Sequence, residues 1–210
     1  ANLEPLTQRP ITVVPDTALA IGQMWPRPEK EKRLVLSLSL ADVAARSAEV
    51  NTAIRELAPK LGMRPENIVV APLMRWEATE DSHLGVNPQT LIAAGRFTAC
   101  RSLEATAHLI GGASGYIGNS LHGLITAVSY GVPAVLVVPV HNQQSQKYHG
   151  FLAAAGLAPA DFIAADWLQA GDLLLKQKPV QIAGGIFSEL NRHVESIRSL
   201  MNAGTVDKTG

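Results

Sequence analysis

The run from Ser114 to Pro139 constrains the fold of this chain more than any other. It reads Ser-Gly-Tyr-Ile-Gly-Asn-Ser-Leu-His-Gly-Leu-Ile-Thr-Ala-Val-Ser-Tyr-Gly-Val-Pro-Ala-Val-Leu-Val-Val-Pro. A short apolar strand around Tyr116–Ile117 ends at Gly118, and Asn119 and Ser120 are favoured helix N-caps. Leu121, Leu124, Ile125 and Val128 then fall at i, i+3, i+4 and i+7, the buried stripe of one helix. His122, Thr126 and Ser129 lie off that stripe and share a more polar side. Gly131 and Pro133 stop the helix. The apolar run Pro133–Pro139 suits a parallel strand buried on both faces. Strand, tight turn, helix and strand therefore set an imidazole and small polar groups at a helix start, beside the carboxyl end of a strand. Open α/β sheets bind ligands at such places, anionic ones especially.

The rest of the chain repeats this alternation. Strands are expected over Arg33–Leu40, Asn67–Met74, Phe97–Cys100 and Phe162–Ala164, with helices over Ala41–Leu61, Pro88–Ala94, Ser102–Ile110, Gln146–Ala155, Asp166–Lys176 and Pro179–Met201. The fold class is α/β: a doubly wound, mostly parallel sheet with helices on both faces. Residues 1–32, with Ile11–Val14 and a Pro- and charge-rich stretch to Lys32, read as an edge strand or a crossing linker. Residues 33–203 form the Rossmann-like body, and 204–210 a disordered tail.

Composition removes several function classes. Lys and Arg balance Asp and Glu at 18 each, so no basic footprint points to nucleic acid. The single cysteine, Cys100, rules out an internal disulfide framework and is expected as a small hydrophobe in a strand. No apolar run reaches transmembrane length and no signal peptide is visible, so the expected location is cytoplasmic, with a peripheral place at the inner membrane face left open. Charged residues make up only 17% against 47% hydrophobic, which calls for a large core or a covered face. Oligomerisation stays open.

In such a fold the chemistry belongs in the loops after the strands: Leu40–Asp42, Arg75–His83, Arg101–Ser102, Gly118–His122 and Val140–Lys147. His122 is the leading candidate. It sits in a first helical turn, where a bound anion favours its protonated form and makes it a general acid. A structural histidine fits the same position equally well. Lys147 can reach a phosphate or carboxylate held at the helix start, though a solvated lysine is the commoner outcome. Arg75 and Arg101 are further candidate anion ligands, each with a solvent-exposed alternative. Asp81 and His83 are too few for a metal site. The stretch Leu38–Asp42 has no glycine, so the dinucleotide fingerprint is absent, as are Walker and nucleophile-elbow motifs.

Asn119-Ser120-Leu121-His122-Gly123, followed by Leu-Ile-Thr-Ala and by Gly131-Val132-Pro133-Ala134, resembles the polysaccharide pyruvyl transferase family. Members carry Ser-Arg-Leu-His-Gly or Thr-Ser-Leu-His-Gly there. Val14–Ala18, Ser102–Gly118 and Lys147–Leu157 resemble further family segments. The resemblance, from about Val13 to Leu157, implies the C-terminal, donor-binding half of a GT-B-like enzyme whose N-terminal domain lies outside this chain. It implies transfer of the enolpyruvyl carbons of phosphoenolpyruvate to two sugar hydroxyls as a ketal, in exopolysaccharide or glycolipid synthesis, with no other cofactor. His122 would be the general acid and Lys147 would hold the donor's phosphate or carboxylate. The amides of Ser120 and Leu121, beside Asn119, would share the anion, and Arg75, Arg101 or the N-terminal domain would replace the guanidinium that members often place where Ser120 stands. Two alternatives remain: a GT-B glycosyltransferase using a nucleotide sugar, and a non-catalytic domain binding an anion or a partner.

Overall fold

A computed structural model of the chain describes residues 16–73, 88–139, 146–182 and 184–203. Six strands form one parallel sheet in the order β3-β2-β1-β4-β5-β6. They are β1 (Leu34–Ser37), β2 (Ile68–Val70), β3 (Arg96–Phe97), β4 (Gly115–Gly118), β5 (Ala134–Val137) and β6 (Ile163–Ala164). The helices are α1 (Ile21–Met24), α2 (Leu40–Ala45), α3 (Ser47–Lys60), α4 (Pro88–Leu91), α5 (Leu103–Gly111), α6 (Leu121–Ser129), α7 (Gln146–Ala154), α8 (Pro159–Phe162), α9 (Trp167–Lys176) and α10 (Gly184–Ala203). The doubly wound α/β architecture expected from the sequence is the one observed. The chain starts in the middle of the sheet, moves outward to β3, then returns to the other side of β1. That reversal places a switch point between β1 and β4.

Alternation along the strands explains the two layers. Leu34 and Leu36 of β1 join Ile68, Val70, Ile117 and Val135 in a core against α2, α3 and α9. Val35, Val69, Tyr116, Ala134 and Leu136 point the other way, into a core with α5, α6 and α7. Strands that bury both faces must be apolar throughout, which is why β1, β2 and β4 are buried at every position. The register pairs Ser37 with Gly118 at the carboxyl ends of β1 and β4.

Several elements depart from the sequence expectation, among them the stretch read as an edge strand or linker, which holds a 3-10 turn and α1. The helix expected over Ala41–Leu61 is two, because Arg46 leaves helical geometry (φ −127°, ψ 25°) and its side chain pairs with Glu49 in the next turn. Val43 and Val50 still reach the same core, so the break is invisible in the apolar spacing. The last helix begins at Gly184 rather than Pro179, since Val180 and Ile182 pack against the core from a connector preceding the helix. Strands are also shorter than their apolar runs: β3 ends at Phe97, and Cys100 lies beyond it, half-buried rather than inside a strand. The tail 204–210 lies outside the described residues.

Residues 17–24 pack on α6. A 3-10 turn (Thr17–Ala20), capped by Asp16, buries Leu19, and α1 buries Ile21. The Tyr130 hydroxyl, just past α6, donates toward the carbonyls of Ile21 (3.3 Å) and Trp25 (3.1 Å). With the sheet on one side and this segment on the other, α6 is buried continuously from Gly123 to Val128.

Candidate functional site

The β4–α6 turn is assembled from beneath. Tyr116 is fully buried, and its hydroxyl donates to the Ser120 carbonyl (3.2 Å). Burial pushes the phenol above the ordinary tyrosine range, while hydrogen bonds with Ser37 and Ser120 act in the opposite sense. A Cβ on Gly118 would come within 2.6 Å of that hydroxyl and 2.7 Å of the Ser37 carbonyl. A Cβ on Gly123 would overlap the Tyr116 hydroxyl and ring. Both glycines are thus required by close approach, and they let α6 start directly over the phenol.

Ser120 is the N-cap of α6, and its Oγ accepts the Gly123 N–H (3.3 Å). The Leu124 N–H reaches the Ser120 carbonyl (3.1 Å). Leu121 and His122 supply the remaining first-turn amides, which a helix cannot satisfy internally. Thr126 and Ser129, expected on a polar side with His122, serve the helix itself. Thr126 is buried and donates to the His122 carbonyl (2.8 Å), and Ser129 donates to the Thr126 carbonyl (2.8 Å). Their side of α6 is covered by the Leu19–Ile21 segment, so only His122 of the three is left exposed.

A pocket of about 370 Å³ opens over this turn, lined by Ser37, Leu38, Ser39, Leu73, Asn119, Ser120, Leu121, His122 and Lys147. The volume is that of a small-molecule site. It sits at the carboxyl ends of β1 and β4, the switch point of the sheet. A second cavity of about 270 Å³, lined by Leu157, Asp161, Phe162, Lys176, Gln177 and neighbours, lies at the opposite end of the strands, where Gln177 bonds Ala134 at the start of β5. The fold does not build its ligand sites at that end.

His122, Asn119, Ser120, Leu121 and Lys147, all expected from sequence, meet in the one pocket. Lys147, in the first turn of α7, is exposed and holds its ammonium 4.6 Å from the centroid of the Tyr148 ring. Arg101 is exposed and is not among the residues lining this pocket. Arg75, with the Arg75–His83 loop, falls outside the described residues. Cys100 is not among the lining residues either, and burial pushes its thiol upward.

The sequence named the Leu40–Asp42 loop after β1 but no side chain on it. Ser37 and Ser39 line the pocket, and Asp42 is bonded to Ser39. The Ser39 Oγ donates to Asp42 Oδ2 (2.7 Å) and accepts the Asp42 N–H (3.0 Å). The Asn119 amide donates to the same carboxylate oxygen (3.1 Å), joining residues 77 apart in sequence. The signal was a Ser-x-x-Asp cap at the end of the first strand. Among the described residues no three His, Cys, Asp or Glu side chains come together as a metal site, and no helix is long and apolar enough to cross a membrane.

No curated protein sequence matches the chain. The family model for polysaccharide pyruvyl transferase matches residues 4–142, ending short of Lys147. That match spans more than half of the chain and takes in the β4–α6 turn with His122, so the protein belongs to the polysaccharide pyruvyl transferase family.

Proposed function

We propose that the pocket over β1 and β4 binds phosphoenolpyruvate and serves its transfer to a saccharide as a cyclic pyruvate ketal. The observation that carries this is the convergence of an imidazole, an ammonium and the first-turn amides of α6 on one small-molecule pocket at the switch point. These groups suit a donor with two anionic ends. The amides of Leu121 and His122 form part of the positive pole of the helix macrodipole and suit a phosphate or carboxylate. Lys147 supplies a mobile point charge for the other anionic group. His122 acts as general acid.

In the step itself the methylene carbon of the enol gains a proton and becomes a methyl group. The two acceptor oxygens bond to the central carbon, and the carbon–oxygen bond to phosphate breaks. One acceptor proton is balanced by the new methyl hydrogen and the other leaves with inorganic phosphate. Ser120 offers a cap rather than a guanidinium, so the anion is held by Lys147 and backbone dipoles.

A thermal-shift titration with phosphoenolpyruvate, UDP and GDP tests this. Saturating phosphoenolpyruvate at about 100-fold above Kd is expected to add about 2.7 kcal/mol of stability. His122→Ala and Lys147→Ala should each weaken that response at least about tenfold in ligand concentration, the effect of losing a charge-assisted contact. A response to nucleotides alone would transfer the site to a nucleotide-sugar donor.

A further inference from the structure

The hydrogen bonds around Asp42 give the pocket a second, chemically opposite wall. A carboxylate can only accept, so the Asn119 group 3.1 Å from Asp42 Oδ2 is its NH₂, and the amide's carbonyl oxygen is the end left for the pocket it lines. The Ser39 hydroxyl spends its one proton on the same oxygen at 2.7 Å and one lone pair on the Asp42 N–H, leaving a lone pair. Asp42 Oδ1 has no hydrogen-bond partner among the described residues. The Asn119 carbonyl oxygen and the Ser39 Oγ therefore give the pocket a wall of acceptors, whereas the first-turn amides of α6 and the Lys147 ammonium give it donors and positive charge. An anion is repelled by the first wall and held by the second. A hydroxyl group, which must donate, fits the first.

We infer that Asn119 and Ser39, held in acceptor orientation by Asp42, receive a hydroxyl of the saccharide acceptor, with Asp42 as the positioning residue that sets this preference. The identity of the hydroxyl's owner rests on the transferase reading above; the acceptor polarity of the wall does not. Both walls belong to one pocket, so a hydroxyl seated on Asn119 lies beside the anion held at the start of α6, as a condensation between the two requires.

Saturation-transfer NMR on the full chain, with methyl glucoside, methyl galactoside and methyl mannoside as probes, tests the wall. Calorimetry with phosphoenolpyruvate is run on the same samples. At least one glycoside should receive saturation in the wild type. Asp42→Asn, which frees the Asn119 amide to turn, and Asp42→Ala should each cut that signal roughly fivefold to tenfold. The phosphoenolpyruvate Kd should stay within about twofold or tighten, since removing the Asp42 charge relieves repulsion and leaves the cationic side intact. A glycoside signal unchanged in Asp42→Asn, or absent from the wild type for all three probes, overturns the inference. So does a parallel loss of phosphoenolpyruvate affinity, because Asp42 would then merely hold the pocket together. Asp42-dependent glycoside binding with no phosphoenolpyruvate binding keeps the wall and removes the donor reading.

Discussion

Tyr116 and Gly123 form the tightest contact under the site, and each makes a separate prediction. Gly123→Ala forces a methyl group into the phenol, and overpacking of this kind costs about 1–3 kcal/mol. Chemical denaturation should show that loss, and relief is expected in Gly123→Ala/Tyr116→Phe, where the hydroxyl is gone. The phenol also shapes the alkaline limb of stability. Its folded pKa is raised by burial, so its contribution is complete below the unfolded value of about 10 and declines as pH climbs toward the folded one. Within that window the unfolded chain gives up a proton that the folded chain keeps, and stability falls by about 1.4 kcal/mol per pH unit. Tyr116→Phe removes this component. The difference in unfolding free energy between the two proteins should therefore shrink from pH 10 upward. A constant difference would mean the phenol is not protected. His122 and Lys147 were legible at this scale because loops after strands are where such a fold keeps its chemistry. Asp42 lay in a loop named for the same reason, but its part was hidden, because a Ser-x-x-Asp cap reads as local structure until Asn119 is brought to it across the sheet.

At the scale of elements, α6 and its flanking strands were legible because three signals agreed: apolar spacing, cap residues and a Gly-Val-Pro stop. Gly131 follows α6 with φ +67°, the left-handed conformation that glycine takes at a helix end. The division between α2 and α3 was hidden because an interruption at Arg46 preserves the heptad-like offset between Val43 and Val50. Strand ends were hidden for a related reason. Apolar residues beyond a strand still pack on the core, as Leu38 does after β1 and Val138 after β5, so the run is longer than the ladder. Nor could spacing alone show that Thr126 is buried: that depends on a segment roughly a hundred residues away in sequence folding over it, and its hydroxyl is satisfied locally.

For the molecule as a whole, the N-terminal segment is the informative part. Leu19 is only 1% exposed and belongs to the same core as Tyr116, Leu124 and Val128. Truncating a leucine so buried typically costs about 2–5 kcal/mol, and Leu19→Ala should show it in equilibrium urea unfolding. A change below about 0.5 kcal/mol would mean that the segment is not part of the cooperative unit. The strand order has a different consequence. Ser37 meets Gly118 only through the β1–β4 ladder, which closes a long stretch of chain containing β2 and β3. Contacts of such separation carry a large loop-closure entropy and slow the folding of domains that depend on them. The two walls flank that seam, so neither half of the chain contains both of them. Binding that needs both walls then reports closure of the β1–β4 seam itself, and a ligand touching both becomes a probe of long-range order in the sheet.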